Sequence, residues 1–183
     1  MDDKDDDADY NEDPFSEKTA HFNWKIILVG NSEVGKTSIT NRYVDGAFTD
    51  DEKHSRQVKI NYKLYEVPNT DKVAELHIWD TLGQEKFKSI AKVFFRGTVG
   101  AFLVFNLCNR QSFDELDTWY NQIDQTCEEG IVVTLVGNKC DLPNRQIEYE
   151  EAAAYAEKRS LGYIEMSAKT GLNVQKGFQM TCA

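Results

Sequence analysis

The start of the chain lacks positive charge: residues 1–17 hold nine acidic side chains (Asp2, Asp3, Asp5, Asp6, Asp7, Asp9, Glu12, Asp13, Glu17) against Lys4 alone. It also lacks an apolar run, so burial cannot offset the entropy of ordering it. Residues 1–21 therefore read as an acidic, disordered arm, with an interaction tail as the alternative. Neither the basic start nor the apolar stretch of a signal peptide is present, and no later run approaches the ~18 apolar residues of a membrane-crossing helix. A cytoplasmic chain is expected. The remaining charge is nearly balanced, 20 basic against 22 acidic groups, which gives no electrostatic reason to expect nucleic acid or an anionic membrane as a partner. Cys108, Cys127, Cys140 and Cys182 contain no CxxC pair, and His21, His54 and His77 lie far from metal-ligand spacing. A metal site built from them is not expected. The cysteines read as structural thiols, with a Cys108–Cys140 bridge as the alternative, since both fall at carboxyl ends of predicted strands. No internal repeat and no glycine- or serine-rich linker divides residues 22–183, which are expected to form one domain.

What is present is alternation. Near-continuous apolar runs at Ile26 to Val29, Ala101 to Leu107 and Ile131 to Val136 suit central strands buried on both faces, and amphipathic stretches separate them. The pattern predicts a three-layer α/β fold with a mixed, mainly parallel sheet between helices. Val58, Ile60, Tyr62 and Leu64 alternate with Lys59, Asn61, Lys63 and Tyr65, so this strand should bury the first set, wet the second and lie at an edge. Turn residues Pro68 to Asp71 then join it to a run through Leu76 and Ile78 as a hairpin. Phe113, Leu116, Tyr120 and Ile123 recur at helical spacing behind the cap candidate Ser112. Ala152, Ala153, Tyr155 and Ala156 mark another helix before a short strand near Tyr163 to Met166.

Four motifs carry chemistry. Gly30-Asn31-Ser32-Glu33-Val34-Gly35-Lys36-Thr37 follows a strand and opens a helix beginning with Ser38, the context of a phosphate-binding P-loop. There, backbone amides of residues 32–38 and the positive helix end converge on a polyphosphate, Lys36 reaches the β- and γ-phosphates, and Thr37 offers magnesium a hydroxyl. Asp80 ends the next strand of that edge and can support the same ion. Gly83 can bring its amide to a γ-phosphate, and Gln84 is the residue type that orients an attacking water. Taken singly, such an acid or glutamine is more often plain polar surface. Gly137-Asn138-Lys139-Cys140-Asp141 and Ser167-Ala168-Lys169 follow two further strands. Asp141 can accept both the N1 hydrogen and the 2-amino group of guanine, whereas adenine would leave that acceptor unpaired. Asn138 can hold the loops and face the purine edge, the stem of Lys139 can lie along the ring, and the amide of Ala168 can meet the 6-oxygen. GTP or GDP is thus the expected ligand.

With these residues the chain resembles the Ras superfamily of small GTPases from about Lys25 onward, and Rab proteins most. The likeness lies in Trp79 to Phe87, Phe94 to Thr98, Leu103 to Phe105 and Gly137 to Leu142. The resemblance implies the P-loop GTPase fold with six strands, and a role as a switch in vesicle traffic served by an exchange factor, an activating protein and effectors. By the same likeness Phe48 flanks the base and Ser55 takes the place of the usual magnesium-binding threonine of switch I.

The departures fall where the γ-phosphate would be sensed. Ser55 lacks threonine's stiff β-branch, and its surroundings, Glu52 to Gln57, differ from the Rab pattern. Leu82 stands where alanine is usual, between Asp80 and Gln84, so slow hydrolysis is expected. Glu33 adds a carboxylate to the phosphate loop and is read as turned to solvent. Arg56 is a weak candidate for an arginine finger in cis. Met180-Thr181-Cys182-Ala183 is neither a CaaX box nor a paired-cysteine ending, so no direct membrane anchor is expected and Cys182 is not read as a prenyl site. The short last helix reads as trimmed or as continuing elsewhere, with peripheral membrane association only through further segments or partners. The rival reading is a pseudo-GTPase that holds nucleotide without cleaving it. An ATP-using P-loop enzyme is disfavoured, because the base selector suits guanine.

Overall fold

The computed structural model describes residues 19–49, 58–80 and 94–182. Strands β1 (Phe22–Val29), β2 (Lys59–Glu66), β3 (Val73–Asp80), β4 (Thr98–Asn106), β5 (Val132–Asn138) and β6 (Gly162–Met166) form one six-stranded sheet in the order β2-β3-β1-β4-β5-β6. β2 runs antiparallel to β3, and every other pairing is parallel. The three apolar runs are adjacent here as β1, β4 and β5, in the middle of the sheet as expected.

Their near-continuous apolar character follows from having two cores to fill. Along β1, Ile26 and Leu28 point to one cluster and Ile27 and Val29 to the other; along β4, Phe102 and Val104 oppose Ala101, Leu103 and Phe105. Helices α1 (Lys36–Asp45) and α5 (Val174–Thr181) close the first cluster with Ile39, Tyr43, Val174 and Phe178. Helices α2 (Arg110–Asp114), α3 (Leu116–Thr126) and α4 (Tyr149–Glu157) close the second with Phe113, Leu116, Ile123, Ala152 and Ala156. Each fully buried aliphatic side chain contributes about 1.5–3 kcal/mol, so the two-sided sheet is the chief source of stability.

The edge strand corrects the sequence reading. Its two-residue period is as expected, but the phase is inverted: Ile60 and Tyr62 are 37 % and 56 % exposed, whereas Asn61 and Tyr65 are 8 % and 6 %. The cause is α1. Lys63 turns inward, donates from Nζ to the carbonyls of Tyr43 and Val44 and lies over the Tyr43 ring. A cation there satisfies carbonyls that the helix end leaves over, which sends Ile60 and Tyr62 to the outer face. Tyr62 pairs across with His77, their rings 4.9 Å apart. The hairpin turn forms at Pro68 to Asp71, where Thr70 Oγ1 donates to the Val67 carbonyl and accepts from the Lys72 amide.

Ser112 is not the helix cap. Asn109 is, its side chain accepting from the Ser112 amide, and the Ser112 hydroxyl turns back to the Asn109 carbonyl and the Asn106 amide. Residues 1–18 of the acidic arm lie outside the described residues. His21 is already tied to the sheet, exchanging two hydrogen bonds with Val73. All four cysteines are free thiols, so the Cys108–Cys140 bridge does not form. Among the described residues no helix is long and apolar enough to cross a membrane.

Candidate functional site

Because β1, β3, β4, β5 and β6 run in parallel, their carboxyl ends share one edge of the sheet, where open α/β sheets bind ligands. Asp80 and the three loop motifs all emerge there. The phosphate loop leaves β1 at Gly30, whose backbone (φ 144°) lies so close to β4 that an added Cβ would stand 2.0 Å from the Val104 carbonyl oxygen. Only glycine fits. Gly35 (φ 97°) is equally constrained, an added Cβ falling 2.3 Å from Asn138 Nδ2. Between them Glu33 adopts a left-handed conformation (φ 65°), and its side chain is exposed beside exposed Ser32, in keeping with the solvent-facing reading.

Helix α1 begins at Lys36 with no side chain capping its first turn and no acidic residue in it, so its positive end faces the loop. Lys36 is 6 % exposed, and Nζ donates to the carbonyls of Gly30 (2.9 Å) and Asn31 (2.8 Å). Burial lowers its pKa to about 8 even though Asp80 nearby favours the ammonium. Thr37 Oγ1 donates to Asp80 Oδ2 at 2.5 Å, and Asp80 is 1 % exposed. These are hard oxygen donors on a helix start and a strand end. Thr37 and Asp80 would hold a hard cation such as magnesium, which prefers oxygen donors. The donor set fits. Ser38 follows, half-buried, in the same helical turn.

Asn138 ends β5 at 1 % exposure and bridges two loops: Nδ2 donates to the Val34 carbonyl at 2.8 Å, and Oδ1 accepts from the Ala168 amide at 3.2 Å. The loop-holding role expected of Asn138 is therefore present. The amide expected to meet a purine oxygen is itself directed at Asn138. Lys139 is left-handed (φ 66°), and its Cε lies 3.9 Å from the Cβ position at Gly35, which lays its stem beside the phosphate loop. Asp141 is exposed at the rim. Ser167 is fully buried, and its hydroxyl accepts from the Thr170 amide at 3.0 Å, shaping the turn that carries Ala168 and exposed Lys169. Phe48 packs, half-buried, against the cluster under α1, just past the helix end at Gly46. Ser55, Leu82, Gly83 and Gln84 lie outside the described residues, as does Arg56.

Three contacts escaped the sequence reading. Asn31 holds α3 by its side chain, accepting from Trp119 Nε1 (2.6 Å) and donating to Glu115 (2.7 Å), while its own carbonyl holds Lys36. Arg42, in the last turn of α1, donates to the carbonyls of Ala168 and Lys169. Arg145 and Glu165 form a two-pronged ion pair joining the loop after Asp141 to β6. Arg42 alone gave a local signal, as a cation near a helix carboxyl end.

A family model described as the Ras family matches residues 25–183. The chain is 35 % identical over 167 residues to Ras-related protein Rab-4A of Danio rerio, covering 91 % of this chain and 77 % of that one. It is 37 % identical over 161 residues to Ras-related protein RIC1 of Oryza sativa subsp. japonica, covering 87 % and 78 %. To GTP-binding protein ypt2 of Schizosaccharomyces pombe it is 34 % identical over 164 residues, covering 89 % and 81 %.

Proposed function

The chain belongs to the Ras family, with Rab proteins among its relatives, and on that premise we propose that it is a Rab-like switch that binds GDP and GTP with magnesium and hydrolyses GTP slowly. The observation that carries the reading is Asn138, one side chain joining the phosphate loop at Val34 to the base-side loop at Ala168. Two loops built for the two ends of one nucleotide are thereby held as a unit.

In this reading Lys36 exchanges the carbonyls of Gly30 and Asn31 for β- and γ-phosphate oxygens, a stronger, charge-assisted partnership. Amides of residues 32–38 cradle the phosphates. Thr37 and Asp80 would hold magnesium, with Ser55 completing the set when GTP is bound; the ion supplies positive charge against the phosphate oxygens. Asp141, exposed at the rim, takes the guanine N1 hydrogen and 2-amino group, with Phe48, Lys139, Ser167, Ala168 and Lys169 around the ring. Gly83 meets the γ-phosphate and Gln84 orients the attacking water.

Slow turnover follows from Leu82 between Asp80 and Gln84 and from Ser55 in place of threonine, with Arg56 only a weak candidate for an arginine in cis. An arginine supplied in trans by an activating protein raises such rates on the order of 10³- to 10⁵-fold. An exchange factor and effectors would complete the cycle, in vesicle traffic if this chain acts as Rab proteins do. The same Leu82 and Ser55 support the rival pseudo-GTPase. Release of γ-phosphate in a single turnover, with Gln84→Leu as control, separates the two: the switch enzyme exceeds the control, and the pseudo-GTPase equals it. Guanine selection is tested by competition, in which ATP should fail to displace bound GDP.

A further inference from the structure

We infer that Arg42 is a positioning residue for the guanine end of this site, fixing the base-side loop to α1; this rests on the GTP-binding reading above. Its guanidinium donates to three carbonyls: Nε to Ala168 at 2.8 Å, Nη2 to Lys169 at 2.6 Å and Nη1 to Gly46 at 2.6 Å. A planar fork with five fixed N–H donors can serve three acceptors at once, and charge-assisted bonds of this kind are about twice as strong as neutral ones. The partners lie 126, 127 and 4 residues away in sequence, so one side chain ties two distant segments together. These are the segments that flank the proposed purine: Gly46 ends α1 in a left-handed conformation two residues before Phe48, and Ala168 and Lys169 follow β6.

The turn at 167–171 uses its other groups internally. The Gly171 amide donates to the Ser167 carbonyl, the Ser167 amide donates to the Leu172 carbonyl, and the Thr170 amide donates to the Ser167 hydroxyl. The carbonyls of Ala168 and Lys169 point instead at α1. Ala168 is consequently held on both sides, its amide by Asn138 and its carbonyl by Arg42. Two fixed peptide planes leave the turn that carries Ala168 and Lys169 little freedom to shift, and a fixed wall is what holding a ring beside it requires. Without Arg42, Asn138 alone would hold Ala168, by a 3.2 Å bond.

The inference separates from a general stabilising role through Lys63, which also satisfies carbonyls at the end of α1, those of Tyr43 and Val44, without touching the base-side loop. Release of fluorescent GDP from the purified full chain is measured for the wild type, Arg42→Ala, Arg42→Lys and Lys63→Ala, with the melting temperature of each. Arg42→Ala should speed release on the order of tenfold to a hundredfold. Arg42→Lys, with one compact ammonium, should recover part of that, and Lys63→Ala should lower the melting temperature and leave release within about twofold of wild type. Release from Arg42→Ala at the wild-type rate, or equal acceleration in Lys63→Ala, overturns the inference. A wild type that fails to prefer GDP over ADP overturns the GTP-binding reading instead.

Discussion

Asn138 donates its side-chain amide to the carbonyl of Val34 at 2.8 Å across 104 residues of sequence, and the added Cβ that Gly35 lacks would stand 2.3 Å from the same nitrogen. The end of β5 and the start of α1 are thus in direct contact, with a glycine making the room. The loops at Val34 and Ala168, both held by Asn138, cannot move independently without breaking a hydrogen bond.

Removing the Asn138 amide should therefore loosen both ends of a bound nucleotide. Asn138→Ala leaves the Val34 carbonyl and the Ala168 amide without this partner at a site 1 % exposed. An abandoned buried group costs about 1–3 kcal/mol, so GDP release should accelerate roughly tenfold to a hundredfold. Stopped-flow release of labelled GDP checks this; an unchanged rate would remove Asn138 from the nucleotide-holding machinery.

Gly30→Ala should fail at the level of folding. The new methyl carbon would lie 2.0 Å from the Val104 carbonyl oxygen, a backbone atom in the central strand that cannot swing aside, and the φ of 144° adds strain. The expected loss is about 3 kcal/mol or more, seen as a shift of the urea midpoint. Gly46→Ala is the comparison: it also has a positive φ, but nothing lies within 4 Å of its Cβ position, so only about 1 kcal/mol should be lost.

The motifs were legible because each is local: the glycines, Lys36 and Thr37 stand within eight residues, and Asn138 to Asp141 within four. The sheet was legible because β1, β4 and β5 fill two cores and must be apolar on both faces. The phase of β2 was not. Tyr62 looks like core and Lys63 like surface until α1 presents its carboxyl end, and that end belongs to another part of the chain. Trp119 was silent for the same reason, since its partner lies 88 residues away, and Arg42 showed only its place near the end of α1, not the carbonyl of Ala168 that lies 126 residues away. Sequence periodicity reports which residues share a face. It does not report what the opposite element brings to that face.

Trp119→Phe isolates one such silent contact. Phenylalanine keeps an aromatic ring against the second core but cannot donate to Asn31 Oδ1, which Trp119 Nε1 reaches at 2.6 Å. The loss should be about 1–1.5 kcal/mol, a fall of roughly 2–5 °C in melting temperature for a domain of this size. Asn31 also holds Lys36 through its carbonyl, so the Trp119 emission of the wild type should respond to nucleotide. Emission unchanged on GDP addition in a variant with Trp24 and Trp79 replaced by Phe would contradict that link.

Glu165 gives the site a pH dependence of defined sign. Burial alone would raise its pKa, but hydrogen bonds from Arg145 at 2.8 and 2.6 Å and from the Tyr163 hydroxyl at 2.8 Å outweigh burial and hold it below the usual 4.5. A carboxylate with a depressed folded-state pKa contributes stability that is whole above its ordinary value and is lost as pH falls through the folded value. Arg145 and Glu165 join the loop after Asp141 to the strand that leads to Ala168, so this stability belongs to the end of the sheet formed by β5 and β6. Glu165→Gln should lose about 1–2 kcal/mol at pH 7, and the gap between its urea midpoint and that of the wild type should close as the pH is lowered from about 5 toward 3. A gap that stayed constant over that range would assign the loss to the shape of the side chain and not to its charge.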